Sequence, residues 1–314
     1  MSVGGVVIGR NEGDRLLACL DALKGQVAEI IYVDSGSNDG SREAAQARGV
    51  RVVVLDMARP FTAARARNAG LSALGPGVEF VQVLDGDCVV QPGWIDAAQD
   101  FLAGHPEVAV VCGRRREEQP GASTYNRLVD REWDTPIGAA RACGGDAMMR
   151  RAPLVAAGGY RESLIAGEEP ELCLRLRRAG WKVWRLDREM TRHDARITRF
   201  GQWWRRSIRA GHAFAEGAWL HGRGPERHWV AETRRAVIWG LVLPVTAILL
   251  GAVLTPWALL GLLAYPAQIL RLAAQGGWSW AVFTVLGKFA EAWGVLRFWL
   301  GRLRSRPVGI IEYR

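Results

Sequence analysis

Several things are scarce in this 314-residue chain. Its five cysteines, Cys19, Cys88, Cys112, Cys143 and Cys173, are odd in number, widely scattered, and form no CxxC pair or His-associated zinc spacing, so a reducing compartment is expected. Met1 to Gly9 lacks a basic stretch ahead of a long apolar core, and Arg10, Glu12 and Asp14 follow at once, so no signal peptide is expected. No fixed-period repeat is present, which excludes a repeat array. Charge is spread along most of the chain, which excludes a low-complexity or disordered protein. The glycines of Gly4-Gly5-Val6-Val7-Ile8-Gly9 are not spaced as GxGxxG, against a nicotinamide dehydrogenase. Basic residues form no aromatic-interleaved stripe, so nucleic acid is not an expected partner.

Charge is absent from one long tract. No Asp, Glu, Lys, Arg or His lies between Arg235 and Arg271, a span longer than the ~20 apolar residues that cross a bilayer. Pro244, Pro256 and Pro266 interrupt it, and after Gly276-Gly277 the helix-like segment Trp278 to Leu300 carries a polar stripe of Thr284, Lys288, Glu291 and the Gly294/Arg297 region, suited to lying at a membrane surface. Arg234 and Arg235 precede the tract, and Arg302, Arg304 and Arg306 follow it. The positive-inside rule therefore places both ends, including Arg314, in the cytoplasm, with two crossings of the inner (cytoplasmic) membrane.

The chain as a whole is 49% hydrophobic, with 41 Lys plus Arg against 32 Asp plus Glu, a net charge of +9 that suits anionic partners. In the first third, apolar runs at Val3–Ile8, Ile30–Val33, Val52–Leu55, Phe80–Leu84 and Val108–Cys112 read as buried strands. Leu16–Leu23, Ser41–Ala47 and Ala63–Leu74 read as covering helices. An α/β fold with a mostly parallel sheet and flanking helices follows, its ligands held beyond the carboxyl ends of the strands. The stretch Arg114 to Tyr160 has no clear periodicity. With Asp146 inside it, this stretch is assigned to an acceptor side. Glu168–Ala179 is an amphipathic helix ended by Gly180, Trp181–Leu186 a returning strand, and Phe200–Trp219 a helix dense in Trp and Arg, as at lipid headgroups.

The polar residues after the strands carry the chemistry. Asp85-Gly86-Asp87 ends a buried strand with two carboxylates, a compact oxygen set for Mg²⁺ or Mn²⁺, although an isolated Asp-Gly-Asp is also a common solvated turn. Arg10-Asn11-Glu12 follows the first strand and Asp34-Ser35-Gly36-Ser37-Asn38-Asp39-Gly40-Ser41 the second. There an acid can accept from a base or ribose donor while small residues admit the ligand to the backbone.

Together, in this order, these segments resemble family-2 glycosyltransferases of the GT-A fold, whose VDDGSxDGS-like segment precedes a DxD; Ser35 replaces the second acid. Ala66-Arg67-Asn68-Ala69-Gly70 is similar to the family's ARNxG element, and Glu168-Glu169-Pro170-Glu171-Leu172 with Arg175-Leu176 to its EDxDLxxRL helix start. Glu169 stands for the catalytic Asp. Gln202-Trp203-Trp204-Arg205-Arg206 resembles QxxRW, with Arg206 where the sugar-stacking Trp of processive members stands, which argues for transfer of a single sugar.

The resemblance implies an inverting, metal-dependent enzyme of cell-surface polysaccharide or glycolipid synthesis. Asn11, Glu12, Asp34, Arg67, Asp85 and Gly86 would bind a nucleotide diphosphate-sugar, a UDP-sugar first among them. Asp85, Asp87 and His193 would hold the divalent cation, Glu169 would be the base, and Gln202, Arg205, Arg206 and Asp146 would serve the diphosphate or a lipid-linked or membrane acceptor. The implied domains are 1–230, with a nucleotide half 1–113, an acceptor half 114–200 and an interface helix 201–230, and then 231–314 for the membrane helices. A polyprenyl-phosphate glycosyltransferase, whose acceptor needs no base, and a non-catalytic membrane scaffold that keeps the fold remain as alternatives.

Overall fold

The computed structural model describes residues 1–304, 309 and 311; Arg306 and Arg314, used above for topology, lie outside the described residues. The chain divides into two compact units, Met1–Leu164 with Glu168–Arg196, and Ile165–Gly167 with the chain from Ile197 onward.

The first unit is a mixed sheet of nine strands among the described residues. β1 (Val3–Gly9), β2 (Glu29–Asp34), β3 (Arg51–Val54) and β4 (Phe80–Asp85) run parallel in the order β3-β2-β1-β4. In β1, β2 and β4 apolar side chains fill both faces, with Val6, Val7, Ile31, Val33, Val81, Val83 and Leu84 all buried, which explains why these three strands read as unbroken apolar runs; β3, at the edge, is half-buried to exposed. α1 (Asp14–Leu23) covers the sheet with Leu16, Cys19, Leu20 and Leu23, the helical spacing of one face. α2 (Ser41–Ala47) and α3 (Ala63–Ala73) complete the crossovers.

The second half of the sheet is mixed. β5 (Cys88–Val90), β7 (Gly138–Ala140) and β8 (Ala147–Arg150) are short and antiparallel to their neighbours, whereas β6 (Val108–Glu117) and β9 (Lys182–His193) are long and parallel to each other. Both long strands outrun their apolar stretches. β6 continues through Arg114, Arg115 and Arg116 because β9 supplies ladder partners, with register shifts around Arg114. α4 (Trp94–Gly104), α5 (Thr124–Glu132), α6 (Arg151–Ala156) and α7 (Glu168–Arg178) flank this half.

The second unit is helical: α8 (Phe200–His221), a helix over Val230–Val253 with a π-helical stretch Ile238–Val242, a helical segment Pro256–Gly276, and a helix Trp278–Leu303. Two of these, Val230–Val253 with mean hydropathy 2.4 and Pro256–Gly276 with 1.3, are long and apolar enough to cross a membrane. Their large side chains, among them Ile248, Leu249, Val253, Leu254 and Trp257, are exposed, unlike those of a soluble core helix. Lys288 and Glu291 of the polar stripe neutralise each other at 2.6 Å.

α3 lies close against β1 because Gly70 has no side chain. A Cβ there would overlap Val6 and come within 3.1 Å of Val33 Cγ2. Gly70→Ala is therefore expected to destabilise the first unit by about 1–3 kcal/mol. Gly104→Ala, where nothing lies within 4 Å, should stay within about 0.5 kcal/mol of the parent. Denaturant melts in detergent check both.

Candidate active site

The site gathers at the carboxyl ends of the parallel strands, because register puts Asp34 beside Gly9 and Asp85 beside Ile8. On the β2 side, Asp34 is fully buried and organises the loop that follows. Its carboxylate accepts from Tyr32 Oη at 3.1 Å and from the backbone amides of Gly36 (3.0 Å) and Ser37 (3.0 Å). Asn11, in the left-handed region at φ 56, ties the first loop to the second: its amide donates to Ser37 Oγ (2.9 Å) and its Oδ1 accepts from the Asn38 amide (2.8 Å). Glu12 pairs with Arg15 at 2.6 Å. Gly86 donates its amide to Ile8 O, and a Cβ there would stand 3.2 Å from that oxygen, so the turn between the two aspartates needs glycine.

Arg67 on α3 is the hub. It is 2% exposed, and its guanidinium meets three carboxylates: Asp85 Oδ1 at 2.9 Å, Glu168 Oε1 at 2.7 Å and Glu169 Oε1 at 2.8 Å. The Tyr160 ring lies 5.6 Å from it, a cation–π contact held by Asn68, whose side chain bonds both the Tyr160 amide and carbonyl. The neighbouring Arg65 is also buried, but it donates to the carbonyls of Asp56, Arg59 and Pro60 and so fixes a loop.

Three acids on one cation leave an excess of negative charge. Burial pushes the Glu169 carboxyl up to about 7, Glu168 adds to the rise, and Arg67 only partly opposes it. Burial acts against the charge on Arg67, but Glu169, Asp85 and Glu168 together hold it firmly protonated. Glu168, Glu169 and Glu171 occupy the first turn of α7 and Arg175, Arg177 and Arg178 its last, as the helix dipole favours. Glu171, 1% exposed, serves packing, held by Arg161 at 3.1 Å and Arg175 at 2.8 Å.

A second buried pair stands beside the first. Asp146 is fully buried; Arg115 Nη2 lies 2.8 Å from its Oδ1, and Thr191 Oγ1 donates to its Oδ2 at 2.6 Å. Arg115 also lies 5.3 Å from the Trp133 ring, and Trp133 meets His193 edge-on at 4.8 Å. His193 Nε2 is 3.3 Å from Asp87 Oδ2. Two sets of donor atoms converge within 4.8 Å of one another: Asp87, Cys88 and His193, and Asp85, Cys88 and Asp146. Oxygen and imidazole donors of this kind fit Mg²⁺ or Mn²⁺.

The structure therefore brings together Asp85, Gly86, Asp87, Asp146, Glu169, Arg67 and His193, with Asn11, Glu12 and Asp34 at the adjoining strand ends. Gln202, Arg205 and Arg206 belong to α8 of the second unit, where Gln202 Oε1 accepts from the amides of Thr198 and Arg199 and so caps the helix. Sequence reasoning missed Arg115, Trp133 and Thr191. The Arg114-Arg115-Arg116 run was the available signal: Arg114 pairs with Asp130 and Arg116 with Glu189, while Arg115 turns to Asp146.

The fold is of the GT-A class, with Asp85-Gly86-Asp87 at the end of β4 and the acidic start of α7 facing the same arginine. Residues 6–154 match the sequence model of Glycosyl transferase family 2. It is 26% identical over 198 residues to the succinoglycan biosynthesis protein ExoA of Rhizobium meliloti, covering 57% of this chain and 58% of ExoA. It is 32% identical over 123 residues to a TPR repeat-containing protein of Synechococcus elongatus, covering 39% of this chain and 29% of that protein. The chain thus spans well under two thirds of both curated relatives. In fold it is similar to the mannosyltransferase PcManGT of Pyrobaculum calidifontis, solved with GDP-Man and Mn²⁺. That likeness has a TM-score of 0.67 at 19% identity, over 94% of this chain and 87% of that one.

The raised Glu169 carboxyl has a consequence for stability. A group that binds its proton more tightly folded than unfolded stabilises the fold at low pH, and that contribution is lost as pH rises from the ordinary value of 4.5 through about 7. Glu169→Gln removes the ionisation, so its stability relative to the parent should climb between pH 4.5 and 7 and level off above. Denaturant titrations across that range in the presence of EDTA check the slope.

Proposed function

We propose that the chain is an inverting glycosyltransferase that moves one sugar from a nucleotide diphosphate-sugar to a membrane-associated acceptor in polysaccharide or glycolipid synthesis. The reading rests chiefly on one observation: Glu169, a carboxylate tuned to about 7, shares the buried Arg67 with Asp85, the first acid of the DxD. A base must be ionised to accept a proton yet basic enough to hold it, and a value near neutrality meets both needs. Glu169 takes the proton of the acceptor hydroxyl, whose oxygen attacks the anomeric carbon from the face opposite the nucleotide, and a single displacement inverts the configuration. Asn11, Glu12, Asp34 and Gly86 receive the nucleoside side of the donor.

Asp85, Asp87 and His193 would hold a divalent cation, Mg²⁺ or Mn²⁺. Their oxygen and nitrogen donors fit it, and the 3.3 Å approach of Asp87 to His193 brings two of them together. Such a cation supplies positive charge for the leaving diphosphate. The donor class is supported by the nucleotide-sugar in PcManGT, a GDP-sugar there, so UDP- and GDP-sugars are both to be tried. The place in polysaccharide synthesis is supported by the likeness to ExoA. Anchoring in the inner membrane by two crossings, with the catalytic unit in the cytoplasm, is supported by the two exposed apolar helices and by Arg234, Arg235 and Arg302 at their flanks. Arg205 and Arg206 on α8 would meet phosphate of the acceptor or of the lipid surface.

Glu169→Gln keeps size and most capping capacity but cannot take a proton. Transfer should fall by roughly 10²–10⁴-fold while donor affinity survives. Transfer at the parent rate would instead favour a polyprenyl-phosphate acceptor, which needs no base. Asp87→Ala should abolish the cation dependence of donor binding. Calorimetry with UDP- and GDP-sugars, with and without Mn²⁺, is the check, and cation-dependent affinity equal to the parent's would refute the DxD assignment.

A further inference from the structure

The cation site contains a thiol. Antiparallel pairing of β5 with β9 sets Cys88 directly opposite His193, and Asp87 immediately precedes Cys88 in the chain. One atom from each of the three side chains, an oxygen, a sulfur and a nitrogen, lies within 4.8 Å of the other two, and all three residues are buried. Two contacts, one to each oxygen of Asp87, have spacings near those between ligands of one metal ion. Asp87 Oδ2 to His193 Nε2 is 3.3 Å and Cys88 Sγ to Asp87 Oδ1 is 3.7 Å. Ligands at about 2.0–2.3 Å from a tetrahedral Zn²⁺ stand roughly 3.3–3.6 Å apart.

We propose that Asp87, Cys88 and His193 form a binding site for thiophilic divalent cations, such as Zn²⁺, Co²⁺ or Cd²⁺, that competes with the hard catalytic cation. Hard Mg²⁺ and Mn²⁺ prefer carboxylate and water oxygens and leave a thiol aside, whereas softer ions take sulfur strongly. On binding, the Cys88 S–H bond breaks, the proton goes to solvent and the sulfur electron pair forms the bond to the metal. Three protein ligands leave one position open, as in zinc sites that keep an exchangeable water. The thiophilic ion and the hard ion share Asp87 and His193, so they exclude each other. Only this competition rests on the function proposed above, because the mixed donor set stands whatever the reaction.

Co²⁺ reports thiolate ligation through an intense near-ultraviolet charge-transfer band, independent of any activity. Titrated into the full chain in detergent, with a phosphine as reductant, Co²⁺ should give that band in the parent and lose it in both Cys88→Ser and Cys88→Ala. Its affinity should fall about 10–100-fold in both variants. Mn²⁺ binding, read by its paramagnetic resonance signal, should change less than about threefold in the same variants. Asp87→Asn should weaken both ions. Absence of the band in the parent overturns the proposal. So does a band that survives in the Cys88 variants and disappears in Cys143→Ser, because Cys143 and Cys173, with sulfurs 3.6 Å apart, would then be the site. If Asp87→Asn weakens Co²⁺ but leaves Mn²⁺ binding intact, the thiophilic site stands and the assignment of the catalytic cation to Asp87 fails.

Discussion

A guanidinium that is almost fully buried must be paired, and Arg67 is paired three times over. Asp85 from the end of β4 and Glu168 and Glu169 from the start of α7 converge on it from segments far apart in the chain. Removing the guanidinium would strand its acids in a low dielectric, a penalty on the order of 3–5 kcal/mol. The pairing therefore fixes where α3, β4 and the first turn of α7 meet, and supporting contacts serve that meeting. Gly70 lets α3 approach β1, Asn68 clamps Tyr160 beneath the guanidinium, and Thr62 caps the helix by accepting from the Arg65 amide.

The same interaction sets the chemistry. Burial raises the Glu169 carboxyl to about 7, and Glu168 adds to the rise because one positive charge cannot neutralise three acids. An ion-pair cluster with more carboxylates than its cation can balance thus carries a carboxyl shifted toward neutrality, the property that the proposed base needs. The neighbouring Arg115–Asp146 pair repeats the device one strand over. There Thr191 satisfies the second oxygen of Asp146, and the Asp85 amide lies 3.4 Å from the first. The thiol of Cys88 sits among these acids, and burial with Asp146, Asp87 and Asp85 pushes it well up, so it is a neutral packing group unless a metal displaces its proton.

Much of this was legible in the chain and some was not, for identifiable reasons. β1, β2 and β4 are largely buried, while β3 at the sheet edge is half-buried to exposed; the apolar runs of all four marked them to within a residue or so, and Ser41–Ala47 is the observed helix α2. Residues directly after those strands, Asn11, Asp34 and Asp85, sit at the site because parallel strands present their carboxyl ends together. The second half was opaque because β6 and β9 run on through charged residues whose burial is made possible by ion pairs rather than by hydrophobicity: Arg114 with Asp130, Arg115 with Asp146. The cysteines carry no zinc-type spacing in the chain, and Cys88 meets His193 through strand pairing, which spacing does not reveal.

The central claim is that Glu169 is the base and that charge shared around Arg67 tunes it. The most direct test is the pH dependence of kcat/KM for sugar transfer by the parent and by Glu168→Gln. The parent should rise with pH along a limb centred near about 7. Glu168→Gln should shift that limb to lower pH, because one of the charges that raises the Glu169 carboxyl is gone. A limb that stays in place in Glu168→Gln, or no rising limb in the parent, would contradict it.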